Sequence, residues 1–343
     1  MQKQKKQLII PESMIPMYDL GDKNDAFRGI LSVGYEEKDI KEYMSSYYYD
    51  ENEVDSQTYD LINLYIEVFN RALSMVRKTP SDAPMKCALE LGAGFGSGTF
   101  AMASILTDLR IIATELSVAM LMRHKREGEN RFPESEKRII RCQTNADEKV
   151  FKSGCFDIVF GTAILHHVFE PLNLINEVGR ILKPNGIAIF CEPFEPGYSL
   201  LQIAYEFLLL QDRCKGFPFR RDGLTKKQRN YLKGCINYWN DIRVDAPHER
   251  ETLSKKDDKW FFPYDYFDKT AKEAGFDTII KIPISSSTEH HIENKMKVHT
   301  EGNNVTLPEK AIEIIKIIDN AFSAQQLFCL PHDGILVLQK AQK

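Results

Sequence analysis

The sequence contains no closely spaced pair of cysteines. Its seven cysteines are an odd number, and no two of them form a Cys-x-x-Cys motif. Several lie in apolar, strand-like runs, as Cys87, Cys142 and Cys191 do. Because a disulfide framework needs cysteines in pairs, we expect buried free thiols in a reducing compartment.

The sequence also lacks long apolar runs and an excess of basic residues. Its most apolar run, Leu200–Leu210, includes Gln202 and Glu206 and is too short to span a bilayer. Near the start, Pro11 and Glu12 interrupt the apolar stretch that a signal peptide would need. The 45 Lys and Arg residues against 49 Asp and Glu residues give a net charge of −4, which offers no basic face to a nucleic acid. We therefore expect a soluble, cytoplasmic protein with neither a membrane nor a nucleic-acid partner, and its oligomeric state stays open.

The chain does contain an alternation of strand and helix patterns from Met85 onward, without internal repeats. Such alternation is typical of a parallel sheet covered by helices on both faces. It predicts an α/β fold with a doubly wound, mostly parallel sheet of seven strands. The predicted strands span residues 86–90, 110–114, 138–142, 156–160, 186–191, 277–282 and 334–339, and helices are predicted over residues 98–106, 118–127, 171–182, 264–273 and 307–322.

The same pattern divides the chain into four segments. Residues 1–80 are expected to form a helical N-terminal arm, in which Tyr47–Tyr49 either pack the arm or close over a ligand. Residues 81–193 are the expected cofactor-binding core. A helical insertion after the fifth strand, residues 194–262, is expected to serve as a substrate lid, and residues 263–343 complete the sheet. An aromatic run in and after the insertion is either core or a substrate wall, and it consists of Trp239, Trp260, Phe261, Phe262 and Tyr264.

The stretch Cys87–Thr99, which reads CALELGAGFGSGT, indicates a binding site. A short apolar strand leads into glycines at every second position, and a helix pattern follows. Glycine has no Cβ and adopts positive φ, so such a turn brings its backbone against a ligand, and a helix N-terminus favours anionic groups. Glu115 ends the second strand, where an acidic residue meets ribose hydroxyls in nucleotide-binding sheets. The pattern predicts a nucleotide-type site at the carboxyl edge of the sheet.

The glycine motif begins at Glu90 and reads Glu-x-Gly-x-Gly-x-Gly. It resembles motif I of the class I S-adenosylmethionine-dependent methyltransferases. FDIVFGTAILHHV (Phe156–Val168) is similar to the family's fourth strand and the turn after it, and EVGRILKPNGIAIFCEP (Glu177–Pro193) is similar to its helix, turn and fifth strand. The ordered match covers roughly Cys87–Pro193 and implies a Rossmann-like core of the small-molecule methyltransferase type.

The resemblance implies S-adenosyl-L-methionine as the cofactor and assigns its parts to residues of this chain. Glu115 would accept hydrogen bonds from both ribose hydroxyls. Where the family has Asp before Ala at the adenine amino group, this chain has Asn145, and Asp147 is an alternative partner. The remaining assignments are Glu90, Gly92, Ala93, Gly94 and Gly96 to the methionine portion, Leu116 to the adenine face, Ala146 to the adenine edge, and Gly161, Thr162 and Ala163 to the sulfonium.

The implied reaction displaces a methyl group from a sulfonium. Because the leaving group is neutral and already activated, the protein mainly aligns the reactants and excludes water. A general base is needed only for an acceptor that arrives protonated. His166, His167 and Glu192 are the candidate catalytic residues at the carboxyl edge. Each also has a structural interpretation, since the histidines can cap the next helix and Glu192 can simply end a strand.

No metal site is expected. His290, His291 and His299 have neither a cysteine nor a carboxylate at ligand spacing, which favours a polar loop. A metal-assisted methyltransferase would also want a carboxylate just past the fourth strand, and Gly161–Ala163 occupy that place.

Other functions stay open at this point. An NAD-dependent Rossmann oxidoreductase would need Gly-x-Gly-x-x-Gly, a spacing that Gly92, Gly94 and Gly96 do not follow, and a change of register stays open as an alternative. The chain is alternatively a non-catalytic S-adenosylmethionine-binding regulatory protein, or an enzyme that uses this cofactor without transferring methyl. The absence of the Asn-Pro-Pro-Tyr signature of base and amide N-methylation, with the acidic balance, favours a small metabolite or natural-product intermediate as the substrate. Oxygen, nitrogen and carbon acceptors are all compatible with the sequence.

Overall fold

A computed structural model of the protein describes residues 24–27, 30–33, 55–76, 85–213, 223–254, 256–285 and 307–342. The described strands are β1 (Asn24–Phe27), β2 (Ile30–Val33), β3 (Cys87–Leu91), β4 (Arg110–Glu115), β5 (Ile139–Gln143), β6 (Phe156–Thr162), β7 (Leu182–Pro193), β8 (Phe276–Ser285) and β9 (Asp333–Lys340). They form one sheet in the order β1-β2-β5-β4-β3-β6-β7-β9-β8. The seven strands from β3 to β9 are the seven predicted from the sequence.

The direction in which the chain builds the sheet reverses beside β3. From β3 the chain adds β4 and β5 on one side, and then β6 and β7 on the other, with parallel pairing throughout. Leu91 is in register with Thr114 on one side and with Gly161 on the other. The residues that follow these three positions therefore meet at one carboxyl edge, which is where doubly wound sheets bind ligands. This topology confirms the predicted doubly wound, mostly parallel α/β fold.

A hairpin that the sequence analysis does not predict extends the sheet. β1 pairs antiparallel with β2, and β2 pairs parallel with β5 through Leu31 and Ser32. Each strand has only four residues, too few for an alternating pattern to stand out in a polar segment.

The described helices are α1 (Asp55–Met75), α2 (Ser97–Ile105), α3 (Val118–Arg131), α4 (Pro133–Glu136), α5 (Pro171–Ile181), α6 (Glu195–Arg213), α7 (Lys226–Asp241), α8 (Arg250–Ser254), α9 (Asp268–Glu273), α10 (Glu309–Ala321) and α11 (Ala324–Phe328). Local chemistry explains several starts. The Ser117 hydroxyl accepts a hydrogen bond from the Met120 N–H before α3, and Pro171 opens α5 at a position that needs no N–H donor. The predicted helix over 264–273 is wrong in its first four residues, which form turns ahead of α9.

The described chain separates into two compact units. The first contains residues 1–191, 267–280 and 335–343, and the second contains residues 192–266 and 281–334. In the first unit every residue of β3 is buried, and the ring of Phe160 on β6 lies 5.4 Å from that of Phe69 on α1. These residues belong to the buried core of the first unit.

The second unit has its own core, built mainly from α6, α7 and α10. Leu208 and Leu232 are fully buried there with Ile315. Phe261 of the aromatic run packs in a second cluster with Tyr198, whose ring centroid lies 4.2 Å away. Among the described helices, none combines the length and the apolar character that crossing a membrane requires.

Candidate functional site

The turn between β3 and α2 places three glycines in the left-handed region. Gly92, Gly94 and Gly96 have φ of +65°, +50° and +97°, which costs glycine little and other residues more. The Ala93 N–H donates to the Thr114 carbonyl at 2.8 Å, and the Gly96 N–H donates to the Ala93 carbonyl at 2.8 Å. The glycine turn, residues 92–96, is therefore held in one conformation by backbone hydrogen bonds.

The three glycines face different surroundings. A Cβ added to Gly92 would lie 2.6 Å from Ile164 Cδ1, and one added to Gly96 would lie 2.6 Å from His124 Nε2. A Cβ added to Gly94 would meet no atom within 4 Å. Packing thus accounts for two of the glycines, whereas Gly94 alone presents its Cα to open space where a ligand can approach.

Glu90 lies beneath the turn, at the end of β3, with no solvent exposure. One carboxylate oxygen accepts a hydrogen bond from the Thr99 hydroxyl, and the other has no hydrogen-bond partner among the described residues. Burial raises the pKa of Glu90 to about 8, and the charge of Glu115 adds to the rise while the Thr99 hydrogen bond opposes it. This second oxygen lies against Gly98, and it can carry the proton that the raised pKa implies.

Glu115 ends β4 and connects to the glycine turn. Its Oε2 accepts a hydrogen bond from the Gly94 N–H at 3.0 Å, and its Oε1 accepts from the N–H groups of Leu116 and Ser117 at 2.8 and 3.0 Å. A carboxylate has about four acceptor positions, so Oε2 can still accept from a ligand hydroxyl. Glu115, the residue expected to bind the ribose, is therefore in direct contact with Gly94, the glycine that faces open space.

The loop after β5 carries the residues expected at adenine. The Asn145 side-chain oxygen accepts a hydrogen bond from the Asp147 N–H at 3.0 Å, an Asx turn that already uses this acceptor. Asp147 is exposed, and its Oδ2 accepts from the Phe169 N–H at 3.4 Å. Ala146 is half-buried between them. Of the two alternatives for the adenine amine, Asp147 has more acceptor capacity to spare.

The end of β6 carries the residues expected at the sulfonium. Ala163 has φ of +58°, rare for a residue with a Cβ, and its N–H donates to the Cys191 carbonyl at 2.8 Å. Thr162 is half-buried and Ala163 is exposed. A Cβ on Gly161 would lie 3.1 Å from the Leu91 carbonyl oxygen, so a side chain at this position would crowd β3.

The candidate catalytic residues fall in both units. His166 and His167 follow β6 in the first unit, with ring centroids 4.1 Å apart, and His166 is 6% exposed. Glu192 lies near the end of β7, is 2% exposed and is the first residue of the second unit. The catalytic roles of all three stay predictions. His290, His291, His299 and Tyr47–Tyr49 lie outside the described residues.

Two residues of α3 that touch the glycine turn escape the sequence analysis. The Arg123 guanidinium carbon lies 4.7 Å from the centroid of the Phe95 ring. His124 is fully buried against Gly96. His124 lies on the same side of α3 as the buried residues Leu121 and Gly128. This helical spacing is the sequence signal that could have predicted its burial.

Several known proteins are similar to this chain in sequence or in fold. A family model described as a methyltransferase domain matches residues 89–190. The chain is 29% identical over 156 residues to a demethylmenaquinone methyltransferase of Clavibacter sepedonicus, a match that covers 45% of this chain and 61% of that protein. It is 28% identical over 154 residues to the protein of the same name in Lactococcus lactis subsp. lactis (strain IL1403), covering 44% of this chain and 60% of that protein.

The curated relatives are therefore matched over about 60% of their own length. Among solved structures, the crystal structure of the cyclase SpnF is similar at 14% identity with a TM-score of 0.48, covering 81% of this chain and 82% of that one.

Proposed function

We propose that residues 89–190, which match a family model described as a methyltransferase domain, form the core of a class I, S-adenosylmethionine-dependent enzyme. The protein would transfer a methyl group from S-adenosyl-L-methionine to a small-molecule acceptor. One observation carries the proposal. Gly94, whose Cα faces open space, donates its N–H to the Glu115 carboxylate at 3.0 Å. Backbone and carboxylate are thus joined where the methionine and ribose portions of the cofactor would meet.

The residues at the edge fit the cofactor chemically. Glu115 retains acceptor capacity for the ribose hydroxyls. Glu90, buried beneath the turn, would shape the pocket for the methionine portion. Leu116, which follows Glu115, offers an apolar side chain to the adenine face, and Asp147 offers an exposed carboxylate to its amino group. Gly161, Thr162 and Ala163 would lie towards the sulfur.

When bound, the cofactor supplies a methyl group on a positively charged sulfur. The chain's own contribution is to hold an acceptor in line with that methyl and to keep water out. His166 and His167 are proton acceptors for an acceptor that arrives protonated, with Glu192 as a separate candidate. The acceptor atom, whether oxygen, nitrogen or carbon, belongs to this proposal and is left to experiment.

The experiment begins with isothermal titration calorimetry of the full chain against S-adenosylmethionine, S-adenosylhomocysteine and NAD⁺. We expect binding of the first two and none of NAD⁺. The protein is then incubated with methyl-labelled cofactor and a metabolite extract, and products that gain a methyl are identified by mass spectrometry. Because two relatives carry the name demethylmenaquinone methyltransferase, a demethylated quinol is a suitable first defined compound.

The outcomes separate the competing functions. Binding of NAD⁺ alone would replace the proposal with an oxidoreductase. Binding of S-adenosylmethionine without transfer to any extract component would favour a regulatory protein or a cofactor-dependent enzyme of another kind. S-adenosylhomocysteine added in excess is the control, since it should suppress transfer by occupying the same site.

A further inference from the structure

Two consecutive residues of α3 contact two consecutive residues of the glycine turn. Arg123 lies over the Phe95 ring at 4.7 Å, a cation–π geometry. His124 lies against Gly96, where an added Cβ would come within 2.6 Å of Nε2. Helix α3 thus contacts the second half of the turn through one cation–π interaction and one packing contact.

The His124 ring is held firmly. It has no solvent exposure and meets the Phe100 ring edge-on at 4.9 Å, while Phe100 in turn stacks on Phe132 at 4.5 Å. Burial keeps the pKa of His124 well below its ordinary range, and the charge of Arg141 adds to that effect. Neither ring nitrogen has a hydrogen-bond partner among the described residues, so the contact with Gly96 is one of packing by a neutral ring.

The same helix begins at the carboxylate expected to bind ribose. Leu116 and Ser117, the two residues before α3, donate their N–H groups to Glu115. Ser117 then caps the helix by accepting from the Met120 N–H at 3.3 Å. A single rigid element therefore contacts the residues assigned to the ribose and the turn assigned to the methionine portion.

We propose that Arg123 and His124 are positioning residues, which fix the Phe95–Gly96 half of the glycine turn for the amino-acid portion of the cofactor. The inference rests on the proposed function. Neither residue is placed against the adenosine portion, so their loss should weaken recognition of the amino-acid portion and spare the ribose and base. This selectivity distinguishes positioning from general support of the fold.

The test compares S-adenosylhomocysteine with adenosine, which has the same base and ribose but a 5′-hydroxyl in place of the homocysteine. Calorimetric affinities for S-adenosylhomocysteine and for adenosine are measured with the wild-type chain, Arg123→Gln, Arg123→Lys and His124→Ala. We expect Arg123→Gln and His124→Ala to lose about tenfold in S-adenosylhomocysteine affinity, a usual size for coupling between neighbouring sites, with adenosine affinity unchanged. Arg123→Lys should recover part of the loss because an ammonium also binds an aromatic face.

Two further variants sharpen the result. Lys125→Gln is the matched control, because Lys125 lies on the same helix and pairs with Glu129 at 3.8 Å. Phe95→Ala closes a double-mutant cycle with Arg123→Gln, and the two losses should fail to add if they act through one contact. Arg123 is half-buried, so Arg123→Gln should fold even if the fully buried His124 does not tolerate alanine.

Equal losses for both ligands would overturn the inference in favour of a structural role, and so would unchanged affinity for S-adenosylhomocysteine in Arg123→Gln. In either case wild-type binding leaves the proposed function intact. A wild-type chain that binds neither ligand would instead overturn the proposed function, and this inference with it.

Discussion

Gly94 is the residue at which conformation and ligand access coincide. Gly94→Val would place a branched side chain in the open space beside the turn and force it to φ of +50°. We expect binding of S-adenosylmethionine to be lost in calorimetry. The strain should lower the free energy of unfolding by about 1–2 kcal/mol.

Gly154→Val is the matched control for that strain. Gly154 also has positive φ, +64°, and open space where a Cβ would stand, but it lies outside the glycine turn. The two variants should lose similar stability, and only Gly94→Val should lose the cofactor. Unimpaired binding in Gly94→Val would refute the assignment of the turn.

Glu90 should make stability depend on pH. Its pKa of about 8 in the folded protein exceeds the ordinary value of 4.5 for a glutamate, so the folded state holds a proton that the unfolded state releases. Between pH 4.5 and 8 the free energy of unfolding should therefore fall as pH rises. Glu90→Gln should remove this slope and be more stable than the wild type at pH 8.5 by a few kcal/mol.

Urea denaturation at pH 5 and at pH 8.5 measures the effect of Glu90→Gln. Glu134→Gln is the control, because Glu134 forms an exposed pair with Lys137 on the surface and should shift stability little at either pH. If Glu90→Gln and the wild type kept the same difference at both pH values, Glu90 would be ionised throughout and the account of its burial would be wrong.

At the scale of elements, Asp157 ties the starts of three strands together. From β6, its Oδ2 accepts hydrogen bonds from the Lys86 and Cys87 N–H groups at 3.0 and 2.9 Å, and its Oδ1 accepts from Lys183 Nζ at 2.8 Å. These contacts lie at the opposite end of the strands from the glycine turn. Asp157 lies within β6, and its contacts give it a structural role.

Asp157→Ala should leave two backbone donors and one lysine without their acceptor. We expect the free energy of unfolding to fall by about 2–3 kcal/mol, measured by urea denaturation, while the affinity for S-adenosylhomocysteine is unchanged. Asp157→Asn, which keeps an acceptor for the backbone, should lose less. A parallel loss of ligand affinity would mean that the two ends of the sheet are coupled.

At the scale of the whole molecule, the cysteines report on burial across both units. Burial raises the pKa of the Cys87 and Cys142 thiols to about 12, whereas Cys329 is exposed. Because the thiolate is the reactive form, iodoacetamide at pH 8 should label Cys329 before Cys87 and Cys142, which it should reach only after unfolding. Peptide mass spectrometry over a time course measures the order. Early labelling of Cys142 would contradict a closed first-unit core.

The larger architecture was readable from the sequence because its signals are local. Alternating apolar runs set the seven strands to within a few residues, and β4, predicted over 110–114, spans Arg110–Glu115. Turn residues predict the boundaries between helices and strands less accurately than apolar runs predict the strands. The predicted helix over 171–182 ends at Ile181, and β7 begins at once with Leu182, although the strand includes Pro184 and Asn185, which are residue types typical of turns. The four-segment division of the chain stays a prediction beside the two compact units of the structure.

The sequence by itself determined the sheet, the glycine turn and the acidic residue that follows the second strand, because each depends on residues close together in the chain. Only the tertiary structure decided what each turn residue does. Ile164 and His124 account for two glycines and leave Gly94 open, and Glu115 reaches Gly94 across 21 residues of chain. Such contacts depend on how separate elements pack, and no local pattern encodes which side chain will fill the space beside a given Cα.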